Sequence, residues 1–142
     1  MIDYKIIAPK LENLKQYVTY LKDYKKHPLE DLKKDHTLSG AVLRYLQLAI
    51  EASLDMGEML ISGLNLKKPE EARQIILILA EAEIIPKDFG QRFAPVAGLR
   101  NILVHEYAEI DLARIHNYLQ NNLADFDLFA RKVAQFLKEN NK

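Results

Sequence analysis

Residues 38–61, LSGAVLRYLQLAIEASLDMGEMLI, are the stretch that decides the fold. Apolar side chains recur there at spacings of three and four residues, which is the period of an α-helix and not of a strand. They cover much of the helix circumference, so this helix is expected to lie at the centre of the molecule. Ser62 and Gly63 follow as the predicted stop.

The rest of the chain also carries helical periodicity, and no segment shows the sustained alternation of a strand. The first predicted helix begins near Ala8 or is kinked at Pro9, and the third follows Pro69, with Glu70 and Glu71 in its first turn, and ends at 84–86. A fourth helix is predicted over about 88–104, with a disturbance at Ala94 and Pro95. The last predicted helix runs from the N-cap Asp111 towards Glu139. Residues 27–37 are expected to form a polar connection, with His27 and His36 solvated. The prediction is an all-α, up-and-down bundle of about four or five helices in one domain spanning 1–142.

Composition excludes several classes of function. The chain has 142 residues and no cysteine, which removes thiol catalysis, cysteine zinc sites and disulfide bonds. Twenty basic residues balance twenty acidic ones, so any nucleic-acid contact must come from a local patch. The longest aliphatic block, residues 75–80, is far shorter than the roughly 20 residues of a membrane span, and the first residues lack the apolar run of a signal peptide. We therefore expect no membrane association and a cytoplasmic protein.

Known cofactor signatures are also missing from the sequence. No glycine-rich phosphate loop occurs, and none of the four histidines has a second histidine at the spacing of a helical metal site. We therefore expect neither a metal nor a cofactor.

Residues 98–112, GLRNILVHEYAEIDL, hold the most informative set of polar side chains: Arg100, Asn101, His105 and Tyr107. At about 100° per residue, Tyr107 falls close to the helix face of Arg100, whereas His105 lies roughly 140° away. Two arrangements would bring the histidine to the arginine. Either the helix frays before His105, which then turns back, or a second copy of the segment supplies its own groups across a two-fold axis.

Such a set suits phosphoryl transfer on RNA without a metal. A histidine with a pKa in its ordinary range can take a proton from a 2′-hydroxyl or give one to a leaving oxygen. An arginine can hold the charge that builds on the phosphorus oxygens. The alternative is structural: Arg100 pairs with Glu106 or Glu109, and His105 packs without a function.

Three carboxylates, Glu51, Asp55 and Glu58, share one face of the central helix. One interpretation is a stripe that faces solvent, because acidic side chains are rarely buried without a partner. The other is that part of the stripe faces Arg100 and orients it. Both interpretations are open from the sequence.

The segment 98–112 resembles the signature of the HEPN superfamily in its HepT-like branch, which is Arg, four residues, His, any residue, Tyr. Arg100, His105 and Tyr107 match it, and Asn101 matches the polar residue that commonly follows the arginine. Residues 44–61 resemble the second helix of the family, and the resemblance extends from about 38 to about 137. One departure is Pro95, which interrupts the helix leading into the motif.

The resemblance implies an all-α bundle that forms a homodimer in which the two motifs face each other. It also implies a toxin of a two-gene toxin–antitoxin module, acting as a metal-independent ribonuclease on RNA. Its partner would be a minimal nucleotidyltransferase that silences it by adding AMP to the motif tyrosine. Arg100 and His105 would then be the catalytic pair, Tyr107 the modification site, and Asn101 and Glu51 supporting residues.

A different class of function is a non-catalytic HEPN module that binds nucleotide or docks the transferase without cutting RNA. The neutral net charge favours this alternative, because affinity for RNA depends on neutralising phosphates. The complete set Arg100, His105 and Tyr107 favours the ribonuclease.

Overall fold

The helix predicted from residues 38–61 is the longest element of the fold. The computed structural model describes residues 2–105 and 109–140, and these ranges contain helices and no strand. In chain order the helices are α1 (Tyr4–Tyr24), α2 (Leu29–Lys34), α3 (His36–Gly63), α4 (Ala72–Glu81), α5 (Lys87–Phe93), α6 (Val96–His105), α7 (Leu112–Asn121) and α8 (Leu123–Asn140). The all-α bundle is confirmed.

The central position expected for α3 is also found. This helix packs against α1, α2, α4, α6 and α8. It begins at an N-cap, Asp35, whose carboxylate accepts a hydrogen bond from the backbone N–H of Leu38 at 3.1 Å. Because apolar residues lie on several sides of α3, helices can pack around it, and this packing determines where the other elements lie.

Helix α1 starts earlier than predicted and passes through Pro9. Asp3 caps it by accepting from the backbone N–H of Lys5 at 3.0 Å, so the prediction of a start near Ala8 is wrong. A proline inside a helix removes one backbone hydrogen bond. Here Pro9 is exposed, while the stripe that begins with Ile7 and Leu11 is buried, and the burial of that stripe offsets the loss.

Three other predicted boundaries are wrong. The connection 27–37 contains the short helix α2, which Leu32 anchors in the core. Glu70 and Glu71 precede α4 and do not lie in its first turn. The helix ends at Glu81 and not at 84–86, before a turn in which Glu83 has a φ of 63°. The last predicted helix is divided at Asn122 into α7 and α8. These divisions, with the predicted break at residues 94–95, raise the number of helices in the described ranges to eight.

Phenylalanine rings in contact join α5 to α8. The ring centroid of Phe93 lies 5.3 Å from that of Phe129 and 5.6 Å from that of Phe126, in an edge-on contact. Such pairs add to the burial of apolar area. The end of α5 is therefore fixed on α8, and α6 starts from a well-packed point.

No helix within the described ranges is both long enough and apolar enough to cross a membrane.

Candidate functional site

Helix α6 carries the motif, and its start explains the departure at Pro95. The chain leaves α5 at Ala94, and the backbone N–H of Gly98 donates to the carbonyl of Pro95 at 3.0 Å. Proline is well tolerated in the first turn of a helix, where its missing N–H has no partner to lose. Pro95 therefore opens a new helix and does not interrupt an existing one.

The motif helix is regular as far as His105, its last residue. The residues that follow His105 lie outside the described ranges, so both arrangements considered above stay predictions. Between Arg100 and His105 the helix rises about 7.5 Å and turns by about 140°. By this geometry the two side chains leave α6 in different directions.

Arg100 lies at the border of the buried face of α6. Val96, Leu99 and Leu103 are buried, and Arg100 follows Val96 by four residues, at about 40° around the helix. Its side chain is half-buried, and its Nε atom is buried without a hydrogen-bond partner in the part of the chain that the structure describes. A buried donor left unpaired costs roughly 1–3 kcal/mol. The guanidinium is thus a donor group without an acceptor.

The structural alternative for Arg100 is not found in the described residues. No ion pair joins Arg100 to Glu109 or to any other carboxylate in these ranges. Glu106 lies outside the described residues, and so does Tyr107, the predicted AMP acceptor.

The exposed side of α6 bears Asn101, Val104 and His105. Val104 is 39% exposed and is one of few large apolar side chains at the surface in the described ranges. The predicted supporting role of Asn101 stays a prediction.

The acidic stripe of α3 divides into two parts. Asp55 pairs with Lys10 at 3.7 Å, and Glu58 is exposed, as expected of a solvent-facing stripe. Glu51 is half-buried and accepts a hydrogen bond from Gln47 Nε2 at 3.0 Å. It forms no ion pair with Arg100 within the described ranges, so a role in supporting the arginine stays a prediction.

Histidines elsewhere have structural partners. His27 is not solvated as predicted: it is half-buried, its Nδ1 lies 2.9 Å from a carboxylate oxygen of Asp31, and its carbonyl lies 3.1 Å from Nε2 of His116. His36 is exposed, as expected. In the described ranges no three His, Asp or Glu side chains are grouped so that they could hold a metal ion.

The burial of Arg100 Nε was not predicted, although the sequence carries a signal for it. The apolar residues 96, 99 and 103 define the buried stripe of α6, and on a helical projection residue 100 falls at its edge. An arginine in that position buries its stem and holds its nitrogens at the boundary with solvent.

A helical bundle with this arginine-to-histidine spacing at the end of one helix defines the class of HEPN domains. The sequence model of the family "Ribonuclease HepT-like" matches residues 11–133, and this chain belongs to that family. A "tRNA nuclease HepT" of Aphanizomenon flos-aquae is 28% identical over 132 residues, covering 93% of this chain and 90% of the relative. An "mRNA nuclease HepT" of Shewanella oneidensis is 32% identical over 97 residues, covering 68% of this chain and 73% of the relative.

A solved structure shares the whole fold. The tri-AMPylated Shewanella oneidensis HEPN toxin in complex with an MNT antitoxin superposes with a TM-score of 0.82 at 27% identity, covering 95% of this chain and 99% of the toxin. The predicted family, fold class and ribonuclease activity are confirmed by these matches.

Proposed function

We propose that this chain is the toxin of a two-gene module and that it cuts RNA without a metal, with Arg100 and His105 as its catalytic pair. The observation that carries the proposal is the half-buried Arg100 of α6, which pairs with no carboxylate in the described residues and shares its helix with the exposed His105. The planar guanidinium can donate to two oxygens of one phosphate at once. The names of the nuclease relatives support RNA as the source of that phosphate.

The reaction uses the 2′-hydroxyl of the substrate as nucleophile. One His105 accepts its proton, and the 2′-oxygen bonds to phosphorus while the bond to the 5′-oxygen breaks. A second imidazole, in its protonated form, gives a proton to the leaving 5′-oxygen. The products are a 2′,3′-cyclic phosphate and a 5′-hydroxyl, and Arg100 stabilises the charge that builds on phosphorus in between.

A homodimer supplies the second imidazole. Within one chain the helix directs Arg100 and His105 about 140° apart, so one copy presents them separately. Two copies of α6 that meet through the exposed face of Asn101, Val104 and His105 bring two histidines and two arginines to one cleft. Exposed Val104 would then be covered by the partner.

The proposed regulator is a minimal nucleotidyltransferase that adds AMP to Tyr107. Support comes from the AMPylated toxin of Shewanella oneidensis, which is bound to its MNT antitoxin. Tyr107 follows His105 by two residues in the sequence, within the same motif as Arg100. An AMP phosphate attached there would compete with RNA for the guanidinium.

The test compares Arg100→Ala, Arg100→Lys and His105→Ala with the wild type in EDTA, on a labelled single-stranded RNA. Each alanine variant is expected to lose about 10²- to 10⁴-fold in cleavage rate. Arg100→Lys keeps the charge but not the planar array of donors, so it should also be impaired. The expected product carries a 2′,3′-cyclic phosphate.

Two outcomes would refute the proposal. The first is a purified wild-type protein that cuts RNA only when a divalent metal is added. The second is a wild type that binds its transferase but never cuts RNA, which is the behaviour of a non-catalytic module.

A further inference from the structure

Four tyrosine rings meet between α1 and α3, away from the motif helix. Tyr17, Tyr20 and Tyr24 follow one another at three- and four-residue spacings on α1, and all three contact Tyr45 of α3. Their ring centroids lie 6.1, 4.7 and 6.3 Å, respectively, from that of Tyr45. Tyr20 is 39% exposed, and the other three rings are half-buried. We call these four residues the tyrosine cluster.

An exposed cation precedes the cluster residue Tyr45 on α3. It is Arg44, whose Cα atom is about 3.8 Å from that of Tyr45. Arg44 is exposed and has no ion pair in the described ranges, in contrast to Lys22, which binds Asp127 at 2.6 Å. Its guanidinium is therefore available to an external anion.

The tyrosine cluster and the motif are attached to neighbouring parts of the fold. Helix α3 packs against both α1 and α6. Helix α7, which follows the motif segment, contacts the connection after α1: Nε2 of Gln120 donates to the carbonyl of Lys25 at 2.8 Å, and Nε2 of His116 lies 3.1 Å from the carbonyl of His27. Lys25 is the residue after Tyr24, so α7 is held at the end of the helix that carries three of the tyrosines.

We propose that Tyr20, Tyr45 and Arg44 bind the unpaired RNA that flanks the cleaved bond, with a base stacked on the tyrosines and a phosphate on Arg44. This inference rests on the proposed ribonuclease function and names the form of its substrate. Stacking on aromatic rings supplies affinity that does not depend on net charge, which suits a chain of zero net charge. It requires bases that are free of a duplex, so the substrate is single-stranded at this point.

The matched variants are Tyr20→Phe, which keeps the ring, and Tyr20→Leu, which keeps an apolar side chain without a ring. Both are made in the His105→Ala background so that the RNA stays intact. Binding is measured by fluorescence anisotropy with a labelled oligoadenylate of about 12 nucleotides, a length within the usual range of single-strand sites. Tyr20→Phe should bind as the parent does, and Tyr20→Leu should bind roughly 5- to 100-fold more weakly.

An abasic oligonucleotide of the same length serves as a second probe, because it has the phosphates but no bases. The parent and Tyr20→Leu should bind it equally. The slope of the logarithm of the oligoadenylate binding constant against the logarithm of salt concentration reports the number of phosphate contacts. Arg44→Ala should reduce that slope by the amount expected for about one contact, and Arg44→Lys should restore it. Circular dichroism and thermal melting establish that each variant is folded.

Equal binding of oligoadenylate by the parent and folded Tyr20→Leu would overturn the inference and leave the tyrosine cluster with a packing role only. If Tyr20→Phe lost as much affinity for oligoadenylate as Tyr20→Leu, the inference would be overturned as well, because the hydroxyl and not the ring would then be responsible for binding. The proposed ribonuclease function is tested by a different measurement, because it fails if the wild type does not cut RNA. Binding to the oligonucleotides is measured without cleavage, so the two failures can be told apart.

Discussion

Tyr107 is the residue through which we expect the proposed toxin to be silenced. Replacing it with phenylalanine removes the hydroxyl that would accept AMP but leaves Arg100 and His105 in place. Tyr107→Phe should therefore still cut RNA and remain toxic, yet escape the partner transferase, because no phosphate can be placed beside the unpaired guanidinium. Growth of cells that co-express the transferase and intact-protein mass spectrometry are the measurements.

Tyr118→Phe is the matched control for that experiment. Tyr118 is half-buried and its ring packs against Phe126 at 6.2 Å between centroids, so it is a poor acceptor. This variant should be modified and neutralised like the wild type. AMP found on any tyrosine other than Tyr107, or complete neutralisation of Tyr107→Phe, would contradict the proposed mechanism.

The burial of Tyr118 leads us to expect that the free energy of unfolding changes with pH in the alkaline range. Burial raises the pKa of its phenol, and the carboxylate of Asp125 raises it further. In the unfolded chain the phenol ionises near pH 10, whereas in the folded chain it keeps its proton to higher pH. Above about pH 10 the unfolded state therefore binds fewer protons, and the free energy of unfolding decreases as pH rises.

Tyr118→Phe removes this proton from both states. Urea denaturation at about pH 9 and about pH 11 should show a smaller loss of unfolding free energy for the variant than for the wild type. Equal losses in the two proteins would mean that Tyr118 does not contribute to the alkaline dependence.

At the residue scale, helical periodicity predicted which face of its helix a side chain occupies but not which groups of other helices it contacts. The buried stripe of α6 and the position of Arg100 at its edge follow from local spacing. That Nε of Arg100 is buried without an acceptor in the described residues does not follow from local spacing. The meeting of Tyr20 with Tyr45 requires the pairing of α1 with α3, and no local pattern carries that information.

Two glycines of α3 distinguish packing between helices from helix propensity. A Cβ added at Gly57 would lie 2.5 Å from Cγ2 of Ile75 in α4, whereas one added at Gly40 meets nothing within 4 Å. Gly57→Ala should separate α3 from α4 and destabilise the fold by about 1–3 kcal/mol, as overpacking does. Gly40→Ala should stabilise it by roughly 0.5–1 kcal/mol, because alanine is the better helix former.

Chemical denaturation of both variants is the measurement, with Gly40→Ala as the control for the effect of alanine in α3. If Gly57→Ala were as stable as Gly40→Ala, α3 and α4 would not be in the close contact described.

At the element scale, the long central helix was predictable and the divisions of other helices were not. Helix α3 has strong periodicity and a glycine at its end. The break at Asn122 has no such signal, because the apolar residues Ile115, Leu119, Leu123 and Phe126 continue one helical stripe across it. Pro95 was predicted to disturb one helix, whereas the chain forms two helices there, α5 before it and α6 after it.

At the scale of the whole molecule, the helical geometry of α6 favours a proposed site that two chains complete. A helix that frayed would have let His105 turn back towards its own Arg100, but α6 is helical through His105. The chemistry needs a base, an acid and an arginine around one phosphate. In the proposed site one chain contributes these groups in two directions, and the exposed Val104 lies between them on the surface of α6.

We therefore expect a symmetric homodimer at micromolar concentration, measured by multi-angle light scattering. Val104→Glu should weaken it, because facing copies of α6 would bring two carboxylates together in an apolar contact. Ala124→Glu, an equally exposed change on α8, should leave the dimer intact. A wild-type monomer would contradict the two-chain site directly.

Mixed dimers test whether the two chains share the site. Co-expression of Arg100→Ala with His105→Ala produces some dimers in which one chain retains the histidine and the other retains the arginine. If both chains contribute to one cleft, these dimers keep one imidazole and one guanidinium there, so they should cut RNA faster than either homodimer, which lacks one kind of group altogether, and more slowly than the wild type. If every site is complete within one chain, each chain in the mixture carries a broken site, and cleavage should stay at the level of the single variants.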